Sequence, residues 1–318
     1  MEIITGTALS NMCDYSFGDH LGGLDPHALV GGFMKEASIK NTEFLERAKQ
    51  FEGKVMTLFI DNIRLYPRTI YVANNPWDIQ WVKHLMATND LLGLCATLTK
   101  NKFIIFCSHE DTPIDSQIVL PDNVLEIHAV NAEFNNDRIF PFPYGLQRQI
   151  LRPNEDYDDR VNILKGQIGV KIEPTKLLYI NCGVSRNNVE RAYLLNFEDK
   201  LWTTTRFNKD SMHFPYSKYL DFLNEMRDHK FMVCPQGHGM DCHRNWELLY
   251  LNRVPVMKDH PYFRRLMAGF PVLFVNDWSD VSKELLEAND HLYQEAQKID
   301  LDKLDLRKIY DGIVKKYD

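Results

Sequence analysis

Short apolar runs recur along the chain, separated by stretches of helical period. Val55–Ile60 (VMTLFI) and Phe103–Cys107 (FIIFC) are unbroken, and Val124–Val130 is largely so. Such runs suit parallel strands covered on both faces. Glu2–Thr5 and Thr69–Ala73 read as two further short strands. Helical patterns fall near Lys35–Phe51 and from Asn75-Pro76-Trp77-Asp78 to about Met86. The second half repeats the alternation. Leu177–Asn181, Trp202–Thr205, Phe231–Val233 and Val254–Met257 read as strands. Tyr219–Met226, the stretch from Asp241 and everything after Asp280 read as helices, and Arg206–Tyr216 as irregular. Strands alternating with helices predict an α/β chain with parallel sheets. Phe140–Leu146 (FPFPYGL) carries two prolines and a glycine and reads as a hinge. It divides the chain into an N-terminal half, 1–145, and a C-terminal half, 146–318, each Rossmann-like. The last helices are expected to be able to pack back on the first half.

The densest chemistry lies in Phe231–Lys258, FMVCPQGHGMDCHRNWELLYLNRVPVMK. A buried strand ends at Pro235. Gly237 and Gly239 read as a tight loop needing backbone conformations closed to other residues. A helix follows, with Trp246, Leu249 and Tyr250 on one side and His243, Arg244 and Glu247 on another, and Asn252 stops it. The free N–H groups of such a helix start point at whatever sits above the strand ends, a natural anion site. Arg244 adds a bidentate phosphate partner, and Glu247 can accept from two vicinal hydroxyls. The competing reading is helix capping and a solvated salt bridge. Upstream, Arg186 lies in a loop at a strand end and can reach the same cleft. Arg191 is a second candidate, with a surface salt bridge to Glu190 or Glu198 as its alternative.

In the first half the polar residues at strand ends are Asp61, after the buried run 55–60, and Asp14, Asp19 and His20 in the loop Met12–Leu24. An Asp at the carboxyl end of a buried strand sits on the ligand-facing rim of such a sheet. For each, a helix cap or an Asx turn is the plain alternative.

Composition narrows the classes. The chain has 318 residues, 44% hydrophobic and 25% charged, and a net charge of −7. The acidic balance argues against a nucleic-acid-binding surface. No segment approaches the roughly 20 apolar residues that span a bilayer, and the start lacks the pattern of a signal peptide. A soluble, cytoplasmic protein is expected (host cytoplasm for a viral source), with a trimmed piece of an anchored protein as the alternative. The six cysteines suggest no disulfide framework. Cys234, His238, Cys242 and His243 have a spacing that fits no usual zinc pattern, and Asp156–Asp159 (DYDD) reads as solvated surface. No metal site is expected.

Three separated motifs carry a resemblance. PQGHGMDCHRNWELLYLNRVPVM resembles the exostosin-type glycosyltransferase signature P-x-G-x-G-x-D-x-x-R-x-W-E-x-L-x-x-x-x-x-P-V. FPVLFVNDWSDV (270–281) resembles that family's following strand and aspartate–tryptophan turn, and LLYINCGVSRNNVERAYL (177–194) its opening strand and Arg-bearing loop. His238 and Asn252 depart from the pattern, which has a small polar residue and a Gly there. The resemblance implies the GT-B arrangement, two Rossmann-like domains facing across a cleft, with the donor on the C-terminal domain and the acceptor on the other. It implies an inverting transfer that needs no metal or other cofactor. The donor would be a UDP-sugar such as UDP-xylose or UDP-glucuronate, with GDP-sugars open, and the acceptor an oligosaccharide or glycoprotein. Arg186 and Arg244, with Arg191 as the further candidate, would contact the diphosphate and Glu247 the ribose. Gly237, His238, Gly239 and His243 would lie near the phosphates or donor sugar. The base would come from the N-terminal half, with Asp61 ahead of Asp19, then Asp14 and His20. A retaining GT-B transferase, or a non-catalytic nucleotide- or sugar-binding protein on the same fold, are the alternatives.

Overall fold

The computed structural model of the chain describes residues 1–17, 41–60, 90–108, 114, 116, 118–146, 157–184, 189–208, 219–237 and 239–317. Two five-stranded parallel sheets organise them, as the alternating pattern predicts. The first holds β1 (Tyr15–Ser16), β2 (Val55–Ile60), β3 (Lys102–Cys107), β4 (Val124–Ala129) and β5 (Ile139–Pro141), in sequential order. The second holds β6 (Lys176–Gly183), β7 (Thr203–Asn208), β8 (His229–Val233), β9 (Val254–Lys258) and β10 (Leu273–Val275), in the order β10-β9-β8-β6-β7. The expected strand at Thr69–Ala73 and helix at 75–86 lie outside the described residues.

Period-two alternation sorts each strand's side chains onto two faces. Met56, Leu58, Ile60 and Ile105 pack with Phe44 and Ala48 from helix 41–48 and with Leu91, Leu92 and Cys95 from helix Leu91–Thr97. The opposite side chains, Phe59, Ile104 and Phe106, join one continuous core with Tyr179, Met232, Trp246, Tyr250 and Met257 of the second half. The outer face of the second sheet has its own cluster around Ile180, Val233, Val256 and Trp278. Each fully buried large side chain contributes roughly 1.5–3 kcal/mol, so the core shared between the sheets is a principal tie between the halves.

The chain's start is not a strand. Ile3 and Ile4 are buried, but their backbone is held by three distant elements instead of a ladder. The Ile4 N–H donates to the Tyr250 hydroxyl at 2.9 Å, and the Ile4 carbonyl accepts from Leu146 N and the Glu2 carbonyl from Leu306 N, each at 2.9 Å. Thr5 then caps helix Gly6–Met12, accepting from Ala8 N. Short apolar tetrads do not distinguish a strand from a buried extended segment.

Two residues of the segment read as a hinge, Phe140 and Pro141, belong to a strand. Residues 139–141 form β5, whose Pro141 is tolerated because β5 is an edge strand. Gly145 follows with φ of +69°, and a Cβ there would lie 2.2 Å from the Ile4 carbonyl oxygen. Gly145→Ala is therefore expected to cost roughly 1–3 kcal/mol, read as a lower midpoint in denaturant unfolding. β7 also runs further than the sequence suggests, taking in Arg206 to Asn208. Asn252 does end its helix, in the left-handed region at φ 57°.

The C-terminal helix Leu306–Val314 starts on an Asp305 cap and lies against the first sheet. Tyr310 donates to the Met12 carbonyl at 3.0 Å and sits 2.8 Å from Thr57 Oγ1. Beyond the helix, Tyr317 donates to Glu126 at 2.7 Å and Lys316 pairs with the same carboxylate at 3.3 Å. His128 donates Nε2–H to Glu126 at 2.7 Å while its ring stacks between Phe106 and Phe140.

This cluster has a defined acid response. The His128 bond, with help from Tyr317, holds Glu126 down to about 2, and burial lowers the imidazole below its ordinary value. Both groups bind fewer protons in the folded state than in the unfolded one, so stability falls as pH falls. The His128 part is lost from about 6.5 downward, and the Glu126 part between about 4.5 and 2. Urea unfolding across pH should show His128→Gln losing less stability than wild type between pH 6.5 and 4.5.

No helix among the described residues is long and apolar enough to cross a membrane.

Candidate active site

The strand order of the second sheet marks one crevice. From β6 the chain moves to β7 on one side, then returns to β8 on the other, and continues outward to β9 and β10. The carboxyl ends of β6 and β8 therefore flank the point where the order reverses, which is where open parallel sheets bind ligands. Val184 follows β6 there, and the loop that begins at Cys234 follows β8. Among the described strands the first sheet adds each new strand on the same edge and has no such reversal.

The loop after β8 begins with buried Cys234, tied by its N–H to the Val256 carbonyl at 2.9 Å. Gly237 N then donates to the Gly239 carbonyl at 3.2 Å. Gly237 does not have the positive φ that the sequence suggests. Its added Cβ would approach nothing closer than Arg191 Nη2, at 3.7 Å. The missing side chain thus leaves space beside a guanidinium and does not serve a strained turn.

Arg191 is not a surface ion pair. It is buried, with Nε donating to the Gln236 carbonyl at 2.8 Å and Nη1 to the Gly183 carbonyl at 3.3 Å. It so bridges the two strand ends of the crevice. The expected acidic partner Glu190 pairs with Lys258 at 3.1 Å instead.

Arg244 is buried in the first turn of helix His243–Tyr250, two residues after the Cys242 N-cap. Burial lowers the pKa of Arg191, and the Arg244 charge lowers it further. Two guanidinium groups and a positive helix end are therefore gathered in one partly desolvated place. A cation at a helix N-terminus opposes the dipole by about 0.3–1 kcal/mol, and like charges add to that cost. An anion seated among them would relieve both.

Glu247, one turn further, is buried. Burial raises its pKa, while the Tyr219 hydroxyl, donating to Oε1 at 2.8 Å, and the charges of Arg244 and Arg160 act against the rise. Arg160 lies over the Tyr219 ring, 5.0 Å from its centroid. These contacts hold a carboxylate ready to accept hydrogen bonds close to the arginines. Trp246 faces the core, as expected.

His243 turns the other way. Its Nδ1–H donates to the Gly145 carbonyl at 2.7 Å, and its ring lies 4.3 Å from that of Tyr144. It joins the two halves of the molecule. Asp14 stands apart from the crevice as well. Its carboxylate accepts from Thr57 N and Thr57 Oγ1, both at 2.8 Å, near the amino end of β2. With Tyr310 it lines a cavity of about 500 Å³ at that opposite edge. Asp61, Asp19, His20, Arg186 and His238 lie outside the described residues. Among the described residues no group of three or more His, Cys, Asp or Glu is arranged to hold a metal ion.

One residue was not singled out from the sequence. Asp241 is buried, and its carboxylate accepts four hydrogen bonds: from Tyr144 N, Cys242 N, Asn245 Nδ2 and Trp246 Nε1, all at 2.8–2.9 Å. Burial pushes it up to about 6, with the four donors opposing the rise. The signal was its place just before a helix whose first turns carry Asn245 and Trp246, both able to donate back to it.

No family model and no curated protein sequence matches the chain. Among solved structures, an alpha1,3-fucosyltransferase is similar over 77% of this chain and 81% of its own, at 11% identity and a TM-score of 0.36. An alpha1,3-fucosyltransferase with GDP-fucose is similar over 77% of this chain and 86% of its own, at 12% identity and a TM-score of 0.32. Likenesses this distant assign no residue and no substrate to the chain.

Proposed function

We propose that the protein is a glycosyltransferase of the GT-B type that takes its sugar from a nucleotide-sugar donor bound at the switch point of the second sheet. The observation that carries this reading is the gathering of Arg244, Arg191 and a helix N-terminus, with Gly237 leaving space beside the Arg191 guanidinium. That set suits a diphosphate, and Glu247 one turn away suits the ribose hydroxyls. The exostosin-like motifs favour a UDP-sugar and an inverting reaction.

In that reaction an acceptor hydroxyl oxygen attacks the anomeric carbon as the bond from that carbon to the diphosphate oxygen breaks. The hydroxyl proton passes to a base from the first half, and the nucleoside diphosphate leaves with the bonding electron pair. The arginines and helix end stabilise the charge that develops on the leaving group, which removes the need for a metal ion. Asp61 is the leading candidate for the base, with Asp19 and His20 behind it. Asp14, whose carboxylate accepts from Thr57 of β2, ranks with His20 behind Asp19.

The test is release of free nucleoside diphosphate from a panel of UDP- and GDP-sugars, with glycan acceptors and with EDTA. Acceptor-dependent release in EDTA, with inversion at the anomeric carbon, is expected for a UDP-sugar. Nucleotide binding without release under any acceptor would favour a binding protein on the same fold.

A further inference from the structure

We infer that Asn131, on the first half of the chain, is a positioning residue for the nucleotide crevice, setting the loop after β8 and the start of helix His243–Tyr250 through Asp241. The inference rests on the diphosphate reading of that crevice and adds what holds it in shape.

Asn131 follows the carboxyl end of β4 and is fully buried. Its φ is 54°, in the left-handed region that Asn, Asp and Gly enter most readily. This conformation lets one residue reach two elements of the other half. Its side-chain Oδ1 accepts from Asp241 N at 3.0 Å. Its own N–H donates to the Tyr262 hydroxyl at 3.1 Å. Two more bonds run in parallel, from Tyr144 N to the Asp241 carboxylate and from His243 Nδ1 to the Gly145 carbonyl. Residues 131, 144 and 145 thus grip residues 241 and 243 from across the molecule.

Asp241 passes the constraint on. Its two carboxylate oxygens also hold Cys242 N, Asn245 Nδ2 and Trp246 Nε1, which span the helix start on either side of Arg244. The N–H groups and guanidinium that would meet a diphosphate are therefore registered to the rim of the first sheet. A misplacement of about 1 Å can cost about 100-fold in a reaction that depends on such registration.

The left-handed backbone supplies a clean test. Asn131→Gly keeps the conformation and the N–H to Tyr262 while removing the side-chain carboxamide, Oδ1 with it. Asn131→Asp keeps an acceptor at the same place. Tyr310→Phe serves as a control that removes a buried contact between the halves far from the crevice. Calorimetric titration with UDP is expected to show a dissociation constant raised about tenfold or more in Asn131→Gly. Asn131→Asp should lie within about threefold of wild type, and Tyr310→Phe should be unchanged. Wild-type affinity in Asn131→Gly, or an equal loss in Tyr310→Phe at equal loss of stability, would overturn the inference. Failure of the wild type itself to bind any nucleotide would overturn the diphosphate reading first, and this inference with it.

Discussion

Replacing Arg244 by Ala is expected to weaken UDP binding by about 30- to 1000-fold, or roughly 2–4 kcal/mol, because the diphosphate loses a buried, charge-assisted partner. The unliganded protein should respond quite differently. Arg244 sits in the first turn of its helix, where its charge works against Arg191 and in favour of the Glu247 carboxylate. Its removal costs the packing of the aliphatic stem and the attraction to Glu247, and relieves the repulsion from Arg191 and the opposition to the helix dipole. The unliganded unfolding midpoint should therefore stay near that of wild type. The rise produced by nucleotide should vanish under conditions where wild type gains about 2.7 kcal/mol from ligand at 100 times its dissociation constant. A purely structural arginine would show the opposite pattern, with a lower midpoint and the ligand response intact.

Asp241→Ala is expected to be the most damaging single change to stability, at roughly 3–5 kcal/mol. Four donors converge on this carboxylate: two side chains of the following helix, the Cys242 N–H and the Tyr144 N–H of the other half. Alanine leaves all four without that acceptor in a place where Asp241 itself is 3% exposed. Asp241→Asn keeps one acceptor oxygen but turns an amide toward N–H groups, so its loss should fall between wild type and alanine. Guanidinium unfolding gives the ranking. The indole of Trp246, bonded to Asp241 at 2.8 Å, provides a local fluorescence signal that should shift in the folded alanine variant.

The fold class was legible because buried parallel strands leave an unbroken apolar record. VMTLFI and FIIFC became β2 and β3, and FMV became part of β8. Residues 139–141 were not legible, since Pro141 reads as a breaker unless the strand is known to lie at a sheet edge. Ile3 and Ile4 misled for the converse reason. Their apolarity reports burial, and only distant residues such as Tyr250 decide how their backbone is satisfied. At the site, Arg244 and Glu247 were legible from helical spacing after a glycine loop. Arg191 was a candidate from its place early in the next helix, but its bonds were not legible, because the carbonyls at Gly183 and Gln236 come from two strand ends 53 positions apart in the chain. The grip of Asn131 on Asp241 spans 110 positions, and no local pattern announces it.

The central claim is that the switch point of the second sheet binds a nucleoside diphosphate through its arginines. Calorimetric titration of UDP in the presence of EDTA, into wild type and Arg244→Ala, tests it most directly. Saturable one-to-one binding to wild type, weakened about 30-fold or more in the variant, is the expected result. No binding of UDP or GDP to wild type, or equal binding to the two proteins, would contradict it.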